Sequence, residues 1–116
     1  MEINLNEFKA LKVSFKDKIC RIQFNRPESK NTIDSQTVIE LTKMLNYCED
    51  KMNIVVLEGN DEVFCFGADF KQESSSDSKK REPGVLYDLW KKLACGSFVS
   101  IAYVKGRANA GGMGFV

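Results

Sequence analysis

Two glycine-bearing stretches are where this sequence could do chemistry: "FCFGADF", Phe64 to Phe70, and "VKGRANAGGMGFV", Val104 to Val116. Each follows an apolar run that reads as a buried strand, Ile54 to Leu57 before the first and Phe98 to Val104 before the second. Backbone amides at the N-terminal end of a helix are unpaired and favour negative charge in front of them. Two such amides from different loops can converge on one carbonyl oxygen and stabilise the charge it gains in an enolate or tetrahedral oxyanion. Glycine beside such an amide lets the backbone approach a thioester without interference from a Cβ. Either stretch alone is explained by a tight turn; the pair together points to an oxyanion hole.

Other chemistries fit the same residues less well. A phosphate loop would need lysine and a hydroxyl where Gly112 and Met113 stand. A dinucleotide fingerprint built on Gly112 and Gly114 would leave Gly106 and Gly111 unexplained. The chain contains no histidine, which removes every Ser-His or Cys-His nucleophile scheme within it. Acid–base work must then come from carboxylates, lysine, tyrosine or backbone groups. The four cysteines, Cys20, Cys48, Cys65 and Cys95, form no C-x-x-C pair, so no metal site is expected and all four read as buried free thiols. Cys65 lies beside the first glycine stretch without a base to activate it.

Charged and aromatic residues near these stretches each have a plain structural reading. Asp69 suits an N-cap for a helix starting near Phe70, and Glu62 and Glu73 suit solvated positions. Lys79, Lys80 and Arg81 read as a solvated loop that could also meet an acidic face of a partner protein. Tyr87 and Trp90, three apart on an amphipathic helix, read as core residues, with the wall of a ligand pocket as the functional alternative.

The elements that must position these stretches follow from periodicity. Leu11, Val13 and Phe15, then Cys20, Ile22 and Phe24, alternate with polar residues around a short turn, which predicts a β-hairpin with one buried face. "NRPES" ends the second strand at its proline. A helix is expected from Asp34 to Cys48, with Val38, Leu41, Leu45 and Cys48 on one face and Asp34 or Ser35 as N-cap. Ile54 to Leu57 is a β-branched run suited to a central parallel strand. Residues 71–84 are serine-rich and charged and read as a mobile surface segment; a second helix resumes at Val85, with Leu86, Leu89, Trp90 and Leu93 at helical spacing. "FVSIAYV" then reads as a second buried strand. This β/α succession predicts an α/β fold with right-handed crossovers.

At 116 residues the chain is at most one domain, and its net charge of +1 argues against a nucleic-acid binder. No apolar run approaches the ~20 residues of a membrane span, and the N-terminus lacks an apolar signal-peptide core, so a cytoplasmic protein is expected. The apolar, glycine-rich C-terminus suggests the first part of a longer protein.

Three segments carry a family resemblance. "FNRPESKNTID" resembles the N-R-P-x-x-x-N-A-[LI] segment of the crotonase (enoyl-CoA hydratase/isomerase) superfamily. "VVLEGNDEVFCFGADFK" and "VKGRANAGGMGF" resemble its F-[SC]-A-G-A-D and G-x-A-x-G-G-G segments, in family order. The resemblance implies the N-terminal part of a crotonase-like ββα-superhelix, spanning 1–116. It implies oxyanion donors at the backbone N–H groups of Phe66 and Gly111, with Gly67, Ala68, Asp69 and Gly112 along the bound substrate. Phenylalanine at 66, where alanine is usual, would narrow the acyl pocket. Gly114 stands where hydratases carry a glutamate, which moves the expectation from water addition towards water loss. The combination of "FCFGADF", "LYDLW" and "NAGGMGFV" resembles the dehydratases of polyketide β-branching cassettes. These act on a 3-hydroxy-3-methylglutaryl group held by an acyl carrier protein. The resemblance implies no metal and no cofactor beyond the phosphopantetheine or CoA carrying the acyl group, and assembly as a homotrimer or hexamer.

Overall fold

The structure is a computed structural model that describes residues 5–67, 85–108, 112, 115 and 116. The expectations for residues 71–84, and for Ala68, Asp69, Gly111 and Gly114, lie outside the described residues.

The hairpin forms as its alternation requires. Strands β1 (Leu11–Lys16) and β2 (Ile19–Phe24) pair antiparallel from Leu11 opposite Phe24 to Lys16 opposite Ile19. Asp17 turns the chain with φ 55°, a left-handed value that aspartate tolerates better than most residues. Leu11, Cys20, Ile22 and Phe24 are buried in the core, Val13 packs against it half-buried, and Phe15 near the turn is exposed.

Helix α1 (Ser35–Cys48) packs its Leu41, Met44, Leu45 and Cys48 stripe into that core. Asp34 is the N-cap, its carboxylate accepting from the Thr37 N–H at 2.8 Å, an arrangement contributing about 1 kcal/mol. Glu40 is also buried on α1. Its carboxylate accepts from the backbone amides of Lys9, Ala10 and Leu11 at 3.0–3.2 Å and from Gln36 Nε2 at 2.6 Å. With so many donors on it, Glu40 fixes the entry to β1 rather than serving chemistry.

Strand β3 (Ile54–Glu58) lies between β2 and β5 (Val99–Tyr103) and runs parallel to both, giving the sheet order β1-β2-β3-β5. Val55, Val56 and Leu57 are buried, as a central strand requires. Strand β5 corrects the expectation of a second buried strand. It is the sheet edge among the described residues, and Val99, Ile101 and Tyr103 are 63%, 45% and 47% exposed on the outward face. A continuous apolar run does not distinguish a strand covered on both faces from one covered on a single face.

Helix α2 (Val85–Cys95) buries Leu89 and Leu93 against the core. Tyr87, expected inside, is 66% exposed, because it lies two positions from Leu89 and so on the opposite side of the helix. Cys95 is exposed at the end of α2, while Cys20, Cys48 and Cys65 are buried; all four are free thiols.

A second sheet, absent from the sequence reading, is formed by β4 (Val63–Cys65) and β6 (Arg107–Ala108), which pair parallel. It joins the two glycine-bearing stretches.

Candidate active site

Pairing of β4 with β6 places Val63 opposite Arg107 and Cys65 opposite Ala108, so the chain leaves both strands side by side. The Arg107 N–H donates to the Glu62 carbonyl at 3.0 Å, anchoring the start of the pair. Close approach continues on both sides of β6. A Cβ at Gly106 would overlap the Glu62–Val63 peptide, and one at Gly112 would overlap the Cys65 carbonyl. Glycine is required at 112 because its own backbone packs directly on that of Cys65, next to Phe66.

Phe66 and Gly67 sit where β4 ends. Gly67 has φ 86°, open to glycine and costly for side-chain-bearing residues. Its N–H donates to Cys65 Sγ at 3.4 Å and its carbonyl accepts from the Ile33 N–H at 2.6 Å. The Phe66 side chain is half-buried, with the Lys30 ammonium 5.3 Å from its ring centroid. Thus Phe66, Gly67 and Gly112 are brought together; Gly111, Ala68 and Asp69 lie outside the described residues.

The residue that holds this junction belongs to the "FNRPESKNTID" segment. Asn31 is 2% exposed, and its Nδ2 donates to the carbonyls of Val63 and Phe64, both at 3.2 Å. Its Oδ1 accepts from the Arg26 N–H at 2.8 Å. Asn31 and Lys30 both have φ 54°, a left-handed pair after the short 3-10 turn Pro27–Ser29. Arg26 secures that turn, donating from its guanidinium to the Thr32 carbonyl at 2.6 Å and lying 3.6 Å from the Asp34 carboxylate. The segment after β2 is therefore a clamp: Arg26 shapes it, Asn31 grips the end of β4, and the Ile33 N–H holds Gly67. No local pattern in the sequence marks Asn31 for this role, because its partners lie some thirty residues away.

Cys65 is not a nucleophile. Burial pushes its thiol up to about 11, only partly offset by the Gly67 N–H, so it stays protonated at neutral pH. The Cys20 thiol is also pushed up, chiefly by its hydrogen bond with Cys48. Among the described residues no cluster of His, Cys, Asp or Glu could hold a metal ion. A cavity of about 580 Å³ between α1 and α2, lined by Glu49, Asp88 and Lys92, contains none of the site residues. No described helix is long and apolar enough to cross a membrane.

An aromatic series backs the junction. Phe64 meets Phe24 edge-on at 5.5 Å, Phe24 meets Phe115 at 5.5 Å, and Phe115 meets Trp90 of α2 at 6.0 Å. Both glycine-bearing stretches thus contribute a ring to one wall, Phe64 from the first and Phe115 from the second.

Comparison with known proteins agrees with this geometry. The enoyl-CoA hydratase/isomerase family profile matches residues 14–116. The chain is 44% identical to the bacillaene synthase dehydratase PksH of Bacillus subtilis over 121 residues, covering 98% of this chain and 46% of PksH. The crystal structure of B. subtilis pksH, described as a polyketide biosynthesis enoyl-CoA hydratase, superposes with TM-score 0.83 over 93% of this chain and 45% of that one. An enoyl-CoA hydratase from Bacillus anthracis, 21% identical, shares the fold with TM-score 0.82 over 92% of this chain and 44% of that one. The chain spans less than half the length of these relatives. With the junction and the family match in agreement, the chain belongs to the enoyl-CoA hydratase/isomerase (crotonase) family.

Proposed function

We propose that the protein is a crotonase-type lyase of polyketide biosynthesis that removes water from a 3-hydroxy-3-methylglutaryl thioester on an acyl carrier protein, giving a 3-methylglutaconyl thioester. The observation that carries this reading is the β4–β6 junction, which brings Phe66 and Gly112 onto adjoining backbone. The likeness to PksH, a bacillaene synthase dehydratase, supports the direction of reaction.

In this reading the thioester oxygen is held by the N–H groups of Phe66 and Gly111. Of the amides at the end of β4, that of Gly67 is already engaged with Cys65 Sγ, so the donor role falls to Phe66. A base takes the proton from C2, and the electron pair left behind is delocalised onto the thioester oxygen, where the two amides stabilise it. That pair then forms the C2–C3 double bond as the C3–O bond breaks, and one acid protonates the departing hydroxide to water. Glycine at 114 exchanges no proton, which favours this one-acid elimination over a two-carboxylate addition of water. Gly67, Ala68, Asp69 and Gly112 run along the thioester and its pantetheine. The reaction requires no metal or further cofactor, and the protein works in the cytoplasm as a trimer or hexamer.

Mass spectrometry of the carrier-bound 3-hydroxy-3-methylglutaryl thioester tests this. Loss of one water on incubation with the protein is the expected result. Loss of carbon dioxide would instead identify a decarboxylase, turnover of the free CoA thioester alone would identify an enoyl-CoA hydratase/isomerase, and an unchanged mass with both substrates would identify a non-catalytic scaffold.

A further inference from the structure

Trp90 is the single tryptophan of the sequence, and its indole nitrogen is buried with no hydrogen-bond acceptor among the described residues. Its ring is held by the T-shaped contact with Phe115, at the end of the wall that also contains Phe24 and Phe64. A buried N–H without an acceptor costs free energy that a phenylalanine at the same place would avoid. The ring's packing therefore does not account for an indole here; the nitrogen does. Phe64 is two residues before Phe66 and Phe115 three after Gly112, so the orphan donor is tied to the wall shared by both glycine-bearing loops. Around it the described wall is aromatic and aliphatic, with Leu89 and Leu93 on the same helix, where a hydrogen bond to an oxygen is strengthened.

We propose that the Trp90 indole N–H donates to an oxygen borne by the bound acyl group, making Trp90 a specificity-determining residue that selects oxygenated acyl thioesters over hydrocarbon ones. This rests on the thioester reading of the site and adds the residue that reads the acyl group. A neutral donor in a dry aromatic wall suits an acyl carboxylate or hydroxyl. A purely apolar chain gains nothing from it, because the N–H stays as unpaired as in the free protein.

The test uses the lone indole ¹⁵N–¹H signal of the protein. Three thioesters are titrated: 3-hydroxy-3-methylglutaryl, 3-hydroxy-3-methylbutyryl and isovaleryl, the last without oxygen beyond the thioester. The indole proton should move downfield with at least one of the first two and stay in place with isovaleryl; the pattern tells carboxylate from hydroxyl. Trp90→Phe, which keeps a ring against Phe115, should weaken binding of the oxygenated thioester by about tenfold to a hundredfold and of isovaleryl by no more than about twofold. An indole proton already bonded in the free protein, equal movement with isovaleryl, or equal loss of affinity for all three would overturn the proposal. These outcomes are separate from the dehydration reading. Water loss without an indole shift defeats only the role of Trp90, and an indole shift without water loss defeats only the lyase.

Discussion

Replacing Asn31 with glycine tests whether the loop after β2 truly grips the candidate site. Glycine accepts φ 54° without strain, so the variant removes the side-chain bonds while sparing the backbone. Three hydrogen bonds are lost: two from Nδ2, to the Val63 and Phe64 carbonyls, and one accepted by Oδ1 from the Arg26 N–H. The Val63 carbonyl keeps the Asn60 N–H at 3.0 Å, so its loss is the smallest. At about 0.5–1.5 kcal/mol each, with a further cost for polar groups left buried, the expected destabilisation is about 2–4 kcal/mol. In urea, followed by the fluorescence of Trp90, the midpoint should fall by on the order of 1–2 M. Asn31→Ala should lose roughly 1–2 kcal/mol more, because alanine resists the left-handed conformation. Loosening the end of β4 also displaces the Phe66 amide, and a shift near 1 Å costs turnover on the order of 10²-fold. An Asn31→Gly protein within about 0.5 kcal/mol of the parent, with unchanged turnover, would refute the clamp.

Two further outcomes follow from the same junction. Gly112→Ala puts a methyl group into the Cys65 carbonyl; since backbone rather than a flexible side chain must yield, a loss of about 2 kcal/mol or more is expected by chemical denaturation. Cys65 makes stability fall at alkaline pH. Its folded value, about 11, is raised above the ordinary 9.0, so the neutral thiol's contribution is complete below about 9. It is lost as pH rises from about 9 to about 11, at up to roughly 1.4 kcal/mol per pH unit. Cys65→Ala should flatten the stability curve in that window, and an identical slope in both proteins would contradict the assignment.

The parts of the fold legible in the sequence were those governed by local pattern. Alternation from Leu11 to Phe24 specifies the hairpin because one face must be buried, and the observed register keeps Leu11, Ile22 and Phe24 inside. Asp34 followed by the Leu41, Leu45 and Cys48 stripe marks α1 and its cap. Strands β4 and β6 were not legible: three and two residues carry no periodic signal, and each exists because the other pairs with it. Exposure of β5 likewise depends on which neighbours cover it, whereas that of Tyr87 follows from its spacing to Leu89. For the site, the two glycine-bearing stretches were visible in the sequence, while Phe66, Gly67 and Gly112 were singled out by the family resemblance. The grip of Asn31 was hidden, because a left-handed asparagine bonded to a strand some thirty residues away leaves no local trace.

Isotope-edited infrared spectroscopy of a thioester labelled with ¹³C at its carbonyl tests the oxyanion reading most directly. Two backbone N–H donors on the oxygen should move the carbonyl stretch of the bound thioester to lower frequency. Gly111→Pro, which deletes one donor, should lose much of that displacement and the water-loss activity while keeping the emission of Trp90. An undisplaced band in the bound parent protein, or a full displacement in a folded Gly111→Pro variant, would contradict it.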